Sequence, residues 1–94
     1  MIRIVKMTFK IEMIDQFIEV FKGVKSKIEA LPGCSKVDLI QEISDPRIIM
    51  TQSIWESPEA LEAYRHSELF IRTWAKTKIL FDDKPQAWSL EKIR

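Results

Sequence analysis

The stretch W-E-S-P-E-A-L-E-A-Y-R-H-S-E-L-F, Trp55 to Phe70, decides the fold. The residues leading into it, Ile48 to Trp55 (I-I-M-T-Q-S-I-W), are apolar and β-branched enough for a strand. Ser57 can accept an orphan backbone N–H as an N-cap, Pro58 sits where its missing N–H costs nothing, and Glu59 favours the positive end of a helix. Ser67-Glu68 repeats the device, so a second helix is expected to begin there. Tyr64, Arg65 and His66 then lie at a helix–helix corner. Trp55, Tyr64, His66, Phe70 and Trp74 are expected to face one space between sheet and helices.

On the N-terminal side, Ile2 to Phe9 reads as a first strand, with Arg3, Val5, Met7 and Phe9 pointing one way and Ile2, Ile4, Lys6 and Thr8 the other. Glu12 to Leu31 carries Ile14, Phe17, Ile18, Phe21, Val24, Ile28 and Leu31 at spacings of three and four, the stripe of an amphipathic helix. No good N-cap precedes it, and Pro32-Gly33 stops it. Ser35 to Ile43 and Arg47 to Trp55 form an antiparallel hairpin about Ser44-Asp45-Pro46. After helices over Pro58 to Arg65 and Glu68 to about Leu80, a last strand runs from Gln86 to Ile93. The order is β-α-β-β-α-β with the second helix broken in two. That is the ferredoxin-like α+β pattern, a four-stranded antiparallel sheet with helices on one face.

At 94 residues the chain makes one domain, 1–94, with a thin margin of burial. Fifteen Lys and Arg against fourteen Asp and Glu leave a net charge of +1 and no basic face, which disfavours nucleic-acid binding. One cysteine, Cys34, excludes an internal disulfide and a thiolate metal cluster. One histidine with scattered carboxylates supplies no convergent metal ligand set, and two glycines form no phosphate loop. No metal and no cofactor are expected. With neither a signal peptide nor a membrane-spanning run in the sequence, a cytoplasmic protein is expected.

Helices can cover only one face of such a sheet. Yet Ile2 and Ile4 oppose Val5, Met7 and Phe9, and Ile48, Met50 and Ile54 oppose Ile49 and Trp55. A solvated sheet face should alternate more cleanly. The bare face reads as an apolar patch, and a homodimer packed sheet against sheet is the expectation.

Pro32-Gly33-Cys34, the strand ending in Trp55, the W-x-S-x-x-A-L core of Trp55 to Leu61 and the S-E-L-F of Ser67 to Phe70 together resemble the antibiotic biosynthesis monooxygenase family over nearly the whole chain. The resemblance implies a dimeric ferredoxin-like barrel with a small aromatic ligand between sheet and helices. It also implies oxidation of a quinol, anthrone or related polycyclic phenol by molecular oxygen, often without metal or flavin. The alternative within the same fold is a dimeric ligand-binding or stress-response module without turnover. Many relatives carry His where Tyr64 stands. The haem-degrading branch carries Trp at Tyr64, His at Trp74 and an Asn near Lys6-Met7-Thr8; all three differ here, so haem degradation is disfavoured.

Within that frame, Tyr64 and His66 are the candidate proton-handling residues. His66 is the one side chain that titrates near neutrality unperturbed. Helical spacing sets it about 200° from Tyr64, so the two share a pocket only if the helix ends between them. Trp55, Phe70 and Trp74, with Met7 and Thr51, are the candidate substrate-binding residues. Each also has an ordinary reading as core or strand structure. Trp88 closes the pocket or lies in the dimer interface, Arg65 steers an anionic substrate or is simply exposed, and Cys34 is an inert thiol.

Overall fold

Alternation in the first strand sets the layers. The computed structural model describes residues 1–94. Strand β1 (Ile2–Thr8) pairs antiparallel with β3 (Ile48–Trp55) on one side and β4 (Gln86–Leu90) on the other, and β2 (Cys34–Gln41) completes the order β2-β3-β1-β4. Partners opposite one another share a face. Met7 meets Ile49, Val5 meets Thr51 and Ala87, and Arg3 meets Ser53 and Ser89 on the face the helices cover. Ile2, Ile54 and Leu90, Ile4 and Trp88, and Met50 and Ile40 share the other face, which nothing covers.

The helices follow their signals. Helix α1 (Ile14–Glu29) buries Phe17, Phe21 and Ile28. It lacks a side-chain N-cap and begins instead with a 3-10 turn over Ile11–Met13, so the α-helix starts at Ile14, the first residue of its apolar stripe, two residues after the expected start at Glu12. Helix α2 (Pro58–Arg65) starts on Ser57, whose hydroxyl accepts from Ala60 N at 3.1 Å. Helix α3 (Glu68–Lys78) starts on Ser67, which accepts from Phe70 N at 3.1 Å and donates to Tyr64 O at 2.6 Å. One serine thus caps α3 and ties down the end of α2, fixing the corner beside Tyr64.

Several ends differ from the sequence reading. Strand β2 stops at Gln41 and β4 at Leu90, leaving Ile43 and Ile93 exposed. Arg47 belongs to the turn rather than to β3, gripped by Asp45 at 3.0 Å and Asp82 at 3.2 Å. Lys25 and Glu29 of α1 reach the edge of the sheet. Glu29 Oε2 accepts from Val37 N at 3.1 Å and Lys25 Nζ donates to Val37 O at 2.5 Å, so α1 occupies the free edge of β2.

Met7, Phe9, Ile49 and Trp55 are nearly solvent-free and centre the core. Phe9, just past β1, stacks on Phe17 at 4.3 Å between ring centroids and meets Phe81 at 5.3 Å. The two glycines are under opposite constraints. Gly33 adopts φ +83°, and a Cβ there would stand 2.6 Å from Ala60 Cβ. Gly23, mid-helix in α1, would place a Cβ in open space. Gly23→Ala is expected to stabilise the protein by about 0.5–1 kcal/mol, and Gly33→Ala to destabilise it by more than that. Thermal melts of the two variants check both signs.

Candidate functional site

Helix α3 packs on α1 and α2 rather than on the sheet. The gap beneath it is a cavity of about 320 Å³, lined mainly by apolar side chains from β1, β3, α1, α2 and α3. Its walls belong to a run of rings in contact. Trp55 stacks on Tyr64 at 5.3 Å, Tyr64 meets Phe70 edge-on at 5.2 Å, and Phe70 lies parallel to Trp74 at 5.9 Å. Trp74 then meets Phe81 at 5.5 Å, which leads to Phe9 and Phe17. Centroid separations of this size are those of favourable aromatic packing. The volume is at the lower end of ligand pockets, roughly 300–1,000 Å³, and suits a bicyclic or small tricyclic compound.

Few polar groups reach this space. Ser53 accepts the indole N–H of Trp55 at 2.9 Å, and Thr77 donates to Thr73 O at 2.7 Å, so both hydroxyls are engaged. Thr51 also lines the cavity. Tyr64 lines it too, and its hydroxyl makes no hydrogen bond to the protein while remaining within reach of solvent. Burial pushes its pKa up to about 12, with a smaller contribution from Cys34. Tyr64 is therefore a phenol, a hydrogen-bond donor, across the physiological range. Two guanidiniums complete the lining. Arg3 donates to Ser89 Oγ at 2.9 Å, and Arg65 pairs with Glu62 at 3.1 Å. Burial and then repulsion from Arg65 lower the Arg3 pKa, with Glu62 opposing. The lining holds no carboxylate, imidazole or lysine.

Six of the seven site residues anticipated from sequence meet at this cavity: Tyr64, Trp55, Phe70, Trp74, Met7 and Thr51. The seventh, His66, does not. Helix α2 ends at Arg65, but His66 continues as its C-cap in helical geometry, so the turn of about 200° from Tyr64 still applies. Its ring stands in solvent, 75% exposed, against Glu62 Oε1 at 2.8 Å. That contact is the largest cause of the lowered Glu62 pKa. Trp88 is resolved toward the uncovered sheet face, opposite Ile4. Arg3 was legible only as a charge in the inward set of β1 beside Val5 and Met7; its approach to Arg65 comes from packing.

No group of three or more His, Cys, Asp or Glu side chains converges anywhere in the structure. Cys34 is half-buried with its thiol pKa raised by burial, the state of an unreactive thiol. No helix is long and apolar enough to cross a membrane.

Tyr64 is the one tyrosine in the chain, so its titration is spectroscopically isolated. A raised folded pKa makes its contribution to stability complete below the ordinary value of 10.0 and lost as pH climbs toward about 12. Tyrosinate absorbance of the native protein is expected to stay flat through pH 10.0 and rise only as the value of about 12 is approached. A native midpoint at the ordinary value would show the phenol to be solvated.

The family model described as antibiotic biosynthesis monooxygenase matches residues 1–76. A crystal structure of an antibiotic biosynthesis monooxygenase superposes with a TM-score of 0.90 at 19% identity, covering 100% of both chains. A conserved protein from Methanosarcina mazei Go1 gives 0.86 at 22% identity over 92% of this chain and 86% of that one. Rv0793 from Mycobacterium tuberculosis gives 0.85 at 14% identity over 99% and 97%. At these identities the structural likeness speaks for the fold. Comparison with curated proteins gives no match. The ferredoxin-like fold and the family match over most of the chain place this protein in the antibiotic biosynthesis monooxygenase family.

Proposed function

We propose that the protein is a monooxygenase that holds a quinol-like or phenolic aromatic molecule in the cavity under α3 and oxidises it with molecular oxygen, without a cofactor. The aromatic cavity with the unpartnered Tyr64 hydroxyl carries this reading. Flat apolar walls favour a ring system, and Trp55, Phe70 and Trp74 supply them, with Met7 and Thr51 on the sheet side. For an anthrone-like substrate the methylene carbon loses its two hydrogens, one oxygen atom becomes the new carbonyl, and the other leaves as water. The substrate anion supplies the electrons. The protein binds, orients and excludes water.

Proton handling then differs from a His-based scheme. His66 is outside the cavity, and no other base lines it. Tyr64, held protonated, donates a hydrogen bond to the oxygen on which charge grows. The substrate proton leaves toward water at the mouth, so the pH dependence follows the substrate's own acidity rather than an imidazole. The lack of a lining base also supports the second reading, a ligand-binding module of the same fold that performs no turnover.

The sheet face opposite the cavity supports a homodimer as the working form. Ile40, Trp88 and Leu90 are 43%, 42% and 46% exposed there, beside Ile2, Ile4, Met50 and Ile54. Packing two such faces together buries them at about 10 Å sheet spacing.

Oxygen uptake with a panel of quinols and anthrones tests the reaction. Uptake above spontaneous oxidation is expected, falling on the order of a hundredfold in Tyr64→Phe and unchanged in His66→Ala. Loss of activity in His66→Ala with the fold intact would remove the base-free scheme, and binding without uptake would select the binding module. Sedimentation of the wild type is expected to give twice the chain mass of 11.1 kDa. Trp88→Glu is expected to give the single-chain mass. A monomeric wild type would sink the dimer.

A further inference from the structure

Arg3 is an unusual residue for the inward face of β1. Three other arginines have carboxylate partners. Arg47 has Asp45 and Asp82, Arg65 has Glu62, and Arg72 has Glu68. Arg3 forms no ion pair, and its one side-chain hydrogen bond goes to the neutral hydroxyl of Ser89. A guanidinium offers five donors, so most of its capacity is unused. It is also partly withdrawn from water and close enough to Arg65 to feel its repulsion. Partial burial and a like-charged neighbour are both unfavourable for a cation, and the charge of Glu62 offsets them only in part.

Strand anchoring is the ordinary explanation, since Arg3 links β1 to β4 through Ser89. A neutral side chain would make the same link, and β1 and β4 already pair through their backbones from Ile2 to Lys6. Anchoring therefore leaves the positive charge unexplained. The surroundings account for it differently. Arg3 and Arg65 both line the cavity, and the lining contains no negative group to oppose them. Glu62, the acid whose charge reaches Arg3, is exposed and shared between Arg65 and His66. The lining thus carries two positive charges and no negative one, against apolar walls that focus the field. Guanidinium donors presented to an anionic oxygen form the stronger, charge-assisted class of hydrogen bond.

We propose that the cavity selects an aromatic acid: a bicyclic or small tricyclic ring system among Trp55, Tyr64, Phe70 and Trp74, with an anionic oxygen held by Arg3 and Arg65. This rests on the reading of the cavity as the ligand site, and it narrows the ligand from any aromatic phenol to one that binds as its anion. The same pair then favours the ionised form of a phenolic substrate. That supplies what a cavity without a base otherwise lacks.

The probes are 2-naphthoate and its neutral isostere 2-naphthamide, titrated against intrinsic tryptophan fluorescence at low ionic strength. Naphthoate is expected to bind at least about tenfold more tightly than the amide, and added salt to weaken naphthoate alone. Arg3→Gln is expected to bring naphthoate down to the level of the amide without changing amide binding, which also reports that the variant is folded. Arg65→Gln is expected to do the same in part, and Arg72→Gln, on the outer face of α3, to do nothing. Equal binding of both probes by the wild type, or weakening of both alike in Arg3→Gln, overturns the charge selection while leaving the cavity as a ligand site. Binding of neither probe overturns both.

Discussion

The structure depends on one continuous run of aromatic contacts. Trp55, Tyr64, Phe70, Trp74, Phe81, Phe9, Phe17 and Phe21 touch in sequence, from the end of β3 through α2 and α3, past the end of β1 and into α1. Every layer of the domain is joined through it. Rings are stiff and broad, so they hold elements together at a distance that aliphatic side chains would close. The consequence is that α3 rests on other helices and rings while the sheet beneath it stays uncovered at the cavity. A sealed void of about 320 Å³ would cost on the order of 8 kcal/mol at roughly 24 cal/mol per Å³. That is comparable with the whole stability of a small domain, about 5–15 kcal/mol. The open mouth admits water and lowers the figure. Even so, larger side chains at Thr51, Thr73 or Thr77 would recover much of it, so space retained at such cost is best understood as space that is used.

Polarity is distributed to the same end. The hydroxyls that could disturb an apolar ligand are already spent, Ser53 on the Trp55 indole and Thr77 on its own helix. What stays available is the Tyr64 phenol and the two guanidiniums of the lining. A donor that stays protonated and cations that stay charged across the physiological range make an environment whose electrostatics are constant over that range. Any pH dependence must then come from what enters. His66 and Glu62 lie outside the lining and exposed, where the effect of their charges on the cavity is screened by solvent.

Much of this was readable from local chemistry. Ser57-Pro58 and Ser67-Glu68 mark helix starts because capping is a short-range interaction, and both serines cap as expected. The ring stripe of α1 and the inward set of β1 are periodicity, also local, and they placed Met7, Phe9 and Phe17 in the core. The misses are of the opposite kind. Arg3 gains its meaning from Ser89, 86 residues away, and from Arg65 across the mouth. The role of Glu29 has no sequence signature because its partner, the Val37 amide, is a backbone group at a sheet edge. Ile43 and Ile93 continued an apolar alternation past the last residue that had a neighbouring strand to pair with. His66 was misplaced for a geometric reason: a C-cap residue keeps the helical twist, so proximity in sequence to Tyr64 became separation in space.

The remaining aromatic, Trp88, lies outside the run and on the opposite face of the sheet. This separation matters because β4 belongs to both sides. Trp88 and Leu90 point to the uncovered face, while Ser89 holds Arg3 and Gln86 and Ala87 line the cavity. Alternation makes the two roles inseparable: moving the strand to improve one face moves the residues of the other by the same amount. In the single chain β4 is exposed along its length, pairs with one neighbour only, and is covered by no helix. An edge strand in that condition is the part of a sheet with least to hold its position. Covering Trp88 and Leu90 would fix the strand, and with it the Ser89 contact that positions Arg3. The uncovered face therefore bears on the cavity through a single strand one residue thick, and the geometry of the cationic mouth follows from whatever that face is packed against.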